Sequence, residues 1–310
     1  MKNMALGPRT VVDINGQVDK ILRDLGNMEP PIDLRLVREL LKLDKQFYSS
    51  TDDGFVNEVF HRMKVAGQQV LQRPTLLKEA IQKLSLKALY LPDSKRILLD
   101  SDMPQLKHRW SEAHEIGHSI IPWHEGMMFG DDKHTLAPSF HEAMEAEANY
   151  AAGRLLFLAN RFTEVAMSSP PSIELIRSLG AQFGNTITST LWRFVEQAEA
   201  QRPMVALVTG HPHPSRRKPD FDAASPCRYY IQSPLFRANF GRLSDKDLFG
   251  IVSGYSGPQR GGTLGQAEVR LVNDEGQPHA FRFETFYNGY EALTLGIWEK
   301  SDPVAVAIAV

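Results

Sequence analysis

The chain has 310 residues, a formal net charge of −2, 42% hydrophobic and 23% charged residues, and one cysteine, Cys227. That length allows two domains or one large one. The near-neutral balance excludes a general attraction to nucleic acid or anionic membranes, and the lone cysteine excludes an internal disulfide and suits a cytoplasmic protein.

In chain order, residues 11–85 are predicted to be mostly helical. "IDLRLVRELLKL" sets Leu34, Val37, Leu40 and Leu41 on one face, with Asp33 as N-cap. "PTLLKEAIQKLS" repeats the pattern from Pro74. "KALYL" and "RILLD" then read as short strands around the turn "PDSK". "QLKHRWSEAHEIGHSII" is a helix, and "PSFHEAMEAEANYAAGRLLF" is another, with Ser139 and Glu142 as a capping box and Met144, Ala148, Ala151 and Leu155 as its buried stripe. Two further helices, hinged near Gly184 and Asn185, fill 172–200 and have a helix-turn-helix outline. From Met204 the texture turns to strands: "MVALVTG", "CRYYIQ", "FGIVSGY", "AEVRLVNDEGQPHAFRFETF" and "ALTLGIWE", with "NDEG" as a hairpin turn. The fold class expected is α+β. Residues 1–200 would form one domain with 172–200 as its helical extension, 204–310 a β-rich C-terminal domain, and "TGHPHPSRRKPD" a polar linker. The opening residues lack a signal-peptide core, and no apolar run reaches the roughly 18–20 residues of a membrane span.

The chemistry concentrates in "AHEIGHSIIPWH", Ala113 to His124. On a helix, His114 and His118 stand one turn apart on one face, so two imidazole nitrogens can reach one ion. Glu115 could then take a proton from water on the ion's open side. Gly117 weakens the helix by about 1 kcal/mol and could leave room beside the ligands. Two surface histidines on a helix would give the same five letters.

Such a site needs a third protein ligand. His124 has the histidine spacing of H-E-x-x-H-x-x-G-x-x-H, but Ile121 stands where that pattern needs a turn glycine, and Pro122 pushes it towards extended backbone. Glu145 in "HEAMEAEAN" is the better candidate, because Asn149 lies one turn on and can accept a hydrogen bond from a ligand histidine. Glu142 and Glu147 are its rivals, and a solvated acidic face is the plain alternative.

Together "RWSEAHEIGH" and "EAEANYAA" resemble the ImmA/IrrE metallopeptidases, whose members read R-F-x-x-A-H-E-x-x-H and then E-x-E-A-N-x-F-A. Trp110 and Ala151 depart mildly from that pattern. The resemblance covers about residues 30–200, with an apparent insertion between Phe47 and Ser85. It implies a zincin-like core and a cytoplasmic zinc endopeptidase, with manganese or iron as alternative ions. His114, His118 and Glu145 would be the ligands, Glu115 the general base, and Asn149 the partner of a ligand histidine. It also implies a protein substrate such as a transcriptional repressor, as in mobile-element induction or DNA-damage responses. The Deinococcus-type IrrE branch adds a GAF-like, regulatory C-terminal domain.

"RILLD" would be the edge strand that holds an extended substrate. For the oxyanion, His134, His141 and Tyr150 are candidates. A second reading is a metal-bearing sensor or DNA-binding regulator without proteolysis of its own. Against direct nucleic-acid binding, the second helix of 172–200 carries one cation, Arg193, beside Glu196 and Glu199.

Overall fold

The computed structural model describes residues 6–26, 28–48, 88–92, 94–103, 105–124, 138–197 and 202–301. "PTLLKEAIQKLS" therefore lies outside the described residues. The chain divides into two compact units, Ala5–Ala159 and the stretch from Asn160 onward.

In the N-terminal unit, α1 (Pro8–Asp24) starts on a proline and buries Ile14, Val18 and Ile21, a stripe at helical spacing. Helix α2 (Leu34–Leu41) is capped as expected: the Arg35 N–H donates to Asp33 Oδ1 at 2.8 Å. Leu34 and Val37 are buried, whereas Leu40, expected on the same face, is exposed. Three strands follow: β1 (Asp44–Tyr48), β2 (Ala88–Leu91) and β3 (Arg96–Asp100), in the order β1-β3-β2. β1 runs parallel to β3, and β2 antiparallel to it. Ile97, Leu98 and Leu99 are all buried, the unbroken apolar run of a strand covered on both faces. "RILLD" is therefore the centre of this sheet and not its edge. Among the described residues its edges are β1 and β2.

Helix α3 (Gln105–Ile120) carries the histidines and α4 (Pro138–Leu156) the acidic run. Helix α4 begins at Pro138, and the side chain of Ser139, expected in a capping box with Glu142, lies outside the described residues. Of the expected stripe Ala148, Ala151 and Leu155 are fully buried, whereas Met144 is half-buried. On α3, Glu112 accepts from Arg38 Nε at 2.6 Å and from Lys45 Nζ at 3.0 Å. That one carboxylate ties α2 and β1 to the histidine helix. At the far end of α4, Arg154 reaches Asp19 at 2.9 Å and Tyr150 donates to Asn15 at 3.0 Å, fastening α4 to α1.

The second unit begins with α5 (Asn160–Ala166), α6 (Ile173–Phe183) and α7 (Ile187–Gln197). Gly184 turns the chain between α6 and α7 in the left-handed region, at φ 66°. The sheet comprises β4 (Met204–Thr209), β5 (Cys227–Gln232), β6 (Gly262–Val272), β7 (Pro278–Tyr287) and β8 (Ala292–Ser301), in the order β5-β4-β8-β7-β6. All neighbouring pairs are antiparallel. The hairpin at "NDEG" forms as expected, whereas "FGIVSGY" is not a strand. It belongs to α9 (Asp245–Tyr255), which follows α8 (Pro234–Asn239) between β5 and β6. Ser244 and Asp247 form a reciprocal capping box there, a start signal that outweighs the apolar run behind it.

One side of this sheet is an aromatic core. Phe236 and Phe240 meet Phe281 edge-on, with centroids 5.8 and 5.2 Å away, and Tyr230, Phe283, Leu248 and Val252 complete it. Elsewhere α6 and α7 pack on the strands. The Ile173 N–H donates to Glu284 at 2.9 Å, and Arg282 donates to the Pro171 carbonyl at 2.9 Å. These helices bury their apolar stripes within the second compact unit, which takes in 172–200, the stretch expected as an extension of the first domain. Nor is "TGHPHPSRRKPD" a free linker: Arg216 donates to the Pro258 carbonyl at 2.9 Å, and Arg217 lies 4.6 Å from the centroid of Phe221.

Candidate metal centre

The site is built where α3 and α4 press together at Gly117. A Cβ at that position would lie 2.7 Å from the Ala148 carbonyl oxygen and 3.3 Å from its Cα. The missing side chain therefore lets the two backbones touch, one turn from the residues that matter. His114 and His118 project from one face of α3, as their spacing requires. Glu145 projects towards them from α4.

The three side chains converge. The Nε2 atoms of His114 and His118 are 3.2 Å apart. Glu145 places one carboxylate oxygen 3.2 Å from the first and the other 3.4 Å from the second. All three ligand atoms lie within 4.8 Å of one another. Two imidazole nitrogens and a carboxylate oxygen are the donor set of a catalytic zinc site that keeps a position open, and manganese or iron suits the same atoms. The outer ring nitrogens support that fit. His114 Nδ1 lies 3.1 Å from Asn149 Oδ1, an acceptor, so the ring proton belongs on Nδ1 and Nε2 keeps its lone pair for the cluster.

Charge around the centre is biased for a cation. Burial opposes protonation of His114, but Glu145, Glu115 and Asn149 outweigh it and push its pKa above the usual imidazole value. Burial also works against ionisation of Glu145, yet its contacts with His114 and His118 hold its carboxyl well below the ordinary range. Glu115 behaves oppositely. It is 5% exposed, and burial pushes its pKa up, against His114 and His118, which lower it. Its carboxyl also feels the backbone of Tyr90, on the edge strand β2. A buried carboxyl with a raised pKa beside two imidazoles suits proton transfer.

The remaining candidates sort by geometry. His124 is fully buried, with its ring outside the three-atom cluster and against the far side of His118: the two Nδ1 atoms are 3.0 Å apart. Its other nitrogen, Nε2, is 2.9 Å from Glu147 Oε2, which also accepts from Trp123 Nε1 at 2.6 Å. Glu147 thus faces this aromatic group, and Glu142 is exposed. The phenol of Tyr150 is engaged with Asn15, and His134 and the His141 side chain lie outside the described residues. Sequence reasoning missed the His124–Glu147 contact. The one signal was E-x-E in α4, where the two glutamates leave the helix in different directions and serve different histidines.

A family model described as "IrrE N-terminal-like domain", peptidase family M78, matches residues 70–194. The match supports the ImmA/IrrE resemblance and a metallopeptidase-type function over that stretch. No curated protein matches the chain. Among solved structures, a Mycobacterium tuberculosis transcriptional regulator is similar in fold, with a TM-score of 0.55 at 13% identity, over 93% of this chain and 76% of that one.

Proposed function

We propose that the protein is a zinc-dependent cytoplasmic endopeptidase whose substrate is a protein, of the kind represented by a transcriptional repressor. The observation that carries this reading is the convergence of two imidazole nitrogens and a Glu145 oxygen within 4.8 Å, with the buried Glu115 next to the first histidine.

His114, His118 and Glu145 would hold the ion, and Asn149 would orient His114. When bound, the ion supplies Lewis acidity to a scissile carbonyl and makes water easier to deprotonate. Glu115 would accept that water's proton and deliver it to the departing amine. Its burial supports this role, since a carboxyl in a dry site takes up a proton more readily than one in water. The edge strand β2, whose Tyr90 backbone hydrogen-bonds Glu115, would lie beside an extended stretch of substrate. Cleavage of a repressor and a part in stress-responsive transcription rest on the family resemblance. The C-terminal sheet, read from the sequence as GAF-like and regulatory, would adjust the rate without supplying a ligand.

The alternative, a metal-bearing sensor or DNA-binding regulator, draws on the name of the Mycobacterium tuberculosis protein. Against the DNA-binding form stands Arg193, the cation of α7, which is 4% exposed and so turned away from any phosphate.

The test is metal analysis of the purified protein together with incubation with the repressor encoded nearest its gene. About one equivalent of zinc, repressor fragments that a chelator abolishes, and loss of both in Glu145→Ala are the expected results. Zinc retained in Glu145→Ala would overturn the ligand set. Zinc without fragments would favour the sensor.

A further inference from the structure

The buried group behind His118 does more than pack. We infer that Trp123, Glu147 and His124 form a relay that fixes the tautomer of His118, which makes His124 and Glu147 positioning residues for the metal centre. The inference rests on the metal reading proposed above.

An indole nitrogen can only donate. Trp123 Nε1 lies 2.6 Å from Glu147 Oε2, so that oxygen is an acceptor. The same oxygen lies 2.9 Å from His124 Nε2, which must therefore carry a proton. Within a neutral imidazole the other nitrogen is then an acceptor, so His124 Nδ1 offers a lone pair. That lone pair faces His118 Nδ1 at 3.0 Å. His118 must donate there, and its remaining nitrogen, Nε2, is left bare and directed at His114 Nε2 and Glu145. Three hydrogen bonds in series thus place a lone pair where a cation would need one.

Burial gives the relay its authority. His124 is 0% exposed and His118 6%, so water cannot substitute for a missing partner. A buried nitrogen left without its hydrogen bond carries its full desolvation cost, enough to select one tautomer over the other. Glu147 is held by two donors at once, which fixes its own orientation. His114 is served differently, through a single, exposed Asn149. The two ligand histidines are therefore oriented by unlike means, one by a replaceable surface amide and one by a sealed chain of rings.

The test uses the full-length protein and three replacements of His124. His124→Asn keeps an acceptor near the position of Nδ1, His124→Gln keeps a polar group near Nε2 only, and His124→Leu keeps bulk alone. Zinc affinity is read by competition with a chelator, and the cobalt-substituted protein by its visible absorption. We expect the Gln and Leu variants to bind zinc about 10–100-fold more weakly with altered cobalt bands, and Asn to recover most of both. Nitrogen-15 NMR of metal-free protein labelled at histidine supplies a readout independent of the ion. It should report His118 protonated on Nδ1 and His124 on Nε2, and the His118 preference should be lost in Glu147→Leu. Equal affinity and spectra in all variants would overturn the relay, as would equal losses in Asn, Gln and Leu, which would mark plain packing. The predicted tautomers in a wild-type protein that binds no metal would sustain the relay and sink the metal reading. The opposite tautomers in a protein that does bind zinc would sink the relay alone. Should His124→Leu fail to fold, the contrast between Asn and Gln carries the test.

Discussion

The centres of the two units bury different kinds of residue, although the second unit also buries Arg193 and His211. Around α3 and α4 the interior holds Glu112, Glu115, His118, His124 and Arg154. Around the five-stranded sheet it holds Phe236, Phe240, Phe281, Phe283 and Tyr230, and the buried hydroxyls of Thr285 and Thr294 satisfy each other at 2.9 Å. Burying a charge is expensive unless it is paired, whereas burying an aromatic ring is favourable by itself. The first unit gives up stability to hold reactive groups dry, and the second stores stability in rings that have no chemistry to offer. Damage to either should therefore read out in a different assay.

The largest expected effect tests the second unit. Phe281 is fully buried between Phe236 and Phe240, so Phe281→Ala should cost about 3–5 kcal/mol of unfolding free energy. Zinc content, measured well below the melting temperature, should not change. Lost zinc in a folded Phe281→Ala protein would erase the distinction between the units.

Next comes its mirror image. Glu115→Gln should leave a folded protein with full zinc while cleavage of the substrate falls at least about 10²-fold, near 2.7 kcal/mol of barrier. Fragment formation is followed over time with zinc measured on the same samples. Unchanged cleavage would remove Glu115 from the chemistry.

Gly117→Ala should have a smaller effect than either and move both readouts. The added methyl meets backbone that cannot rotate away, an overpacking of about 1–3 kcal/mol, against which stands a helix-propensity gain of about 1 kcal/mol. A lower melting temperature with weaker zinc binding is expected. A more stable protein with unaltered zinc binding would mean that the helices do not need to touch.

The smallest effect belongs to the cap of α9. Ser244→Ala should cost about 1 kcal/mol and alter neither zinc nor cleavage. The hydrogen bonds from Ser244 hold Asp247 below the ordinary value of 3.8. A depressed folded pKa stabilises above the unfolded pKa and fades as pH falls through the folded one. The difference between wild type and variant in denaturant titrations should accordingly shrink below about pH 3.8. A difference that grows in acid would reverse the sign of this argument.

What was legible in the sequence follows the same division. His114 and His118 could be paired from spacing alone, because a helix fixes the angle between residues four apart. Glu145 and Asn149 could be paired with each other by the same rule, but their meeting with His114 depended on the α3–α4 approach, for which only Gly117 gave a hint. His124 could be argued away from the ligands through Ile121 and Pro122, yet its contact with Glu147 joins two helices 23 positions apart, and no local period encodes that. The centre-strand position of "RILLD" was missed because pairing order depends on β1, a segment of exposed and half-buried residues without a strand-like alternation. Composition changes at residue 204, whereas the compact units divide at Ala159/Asn160.

The contact between Gly117 and Ala148 also acts as a mechanical stop. Backbone against backbone is the nearest that two helices can come, so this contact sets a floor on the gap between donors on α3 and the donor on α4 but no ceiling. An ion that needs long bonds can be met by the helices easing apart. One that needs bonds shorter than the floor permits cannot draw them in, because compressing the polypeptide itself is far harder than separating it. For an ion held as proposed, the helix crossing would therefore limit bond length from one side only.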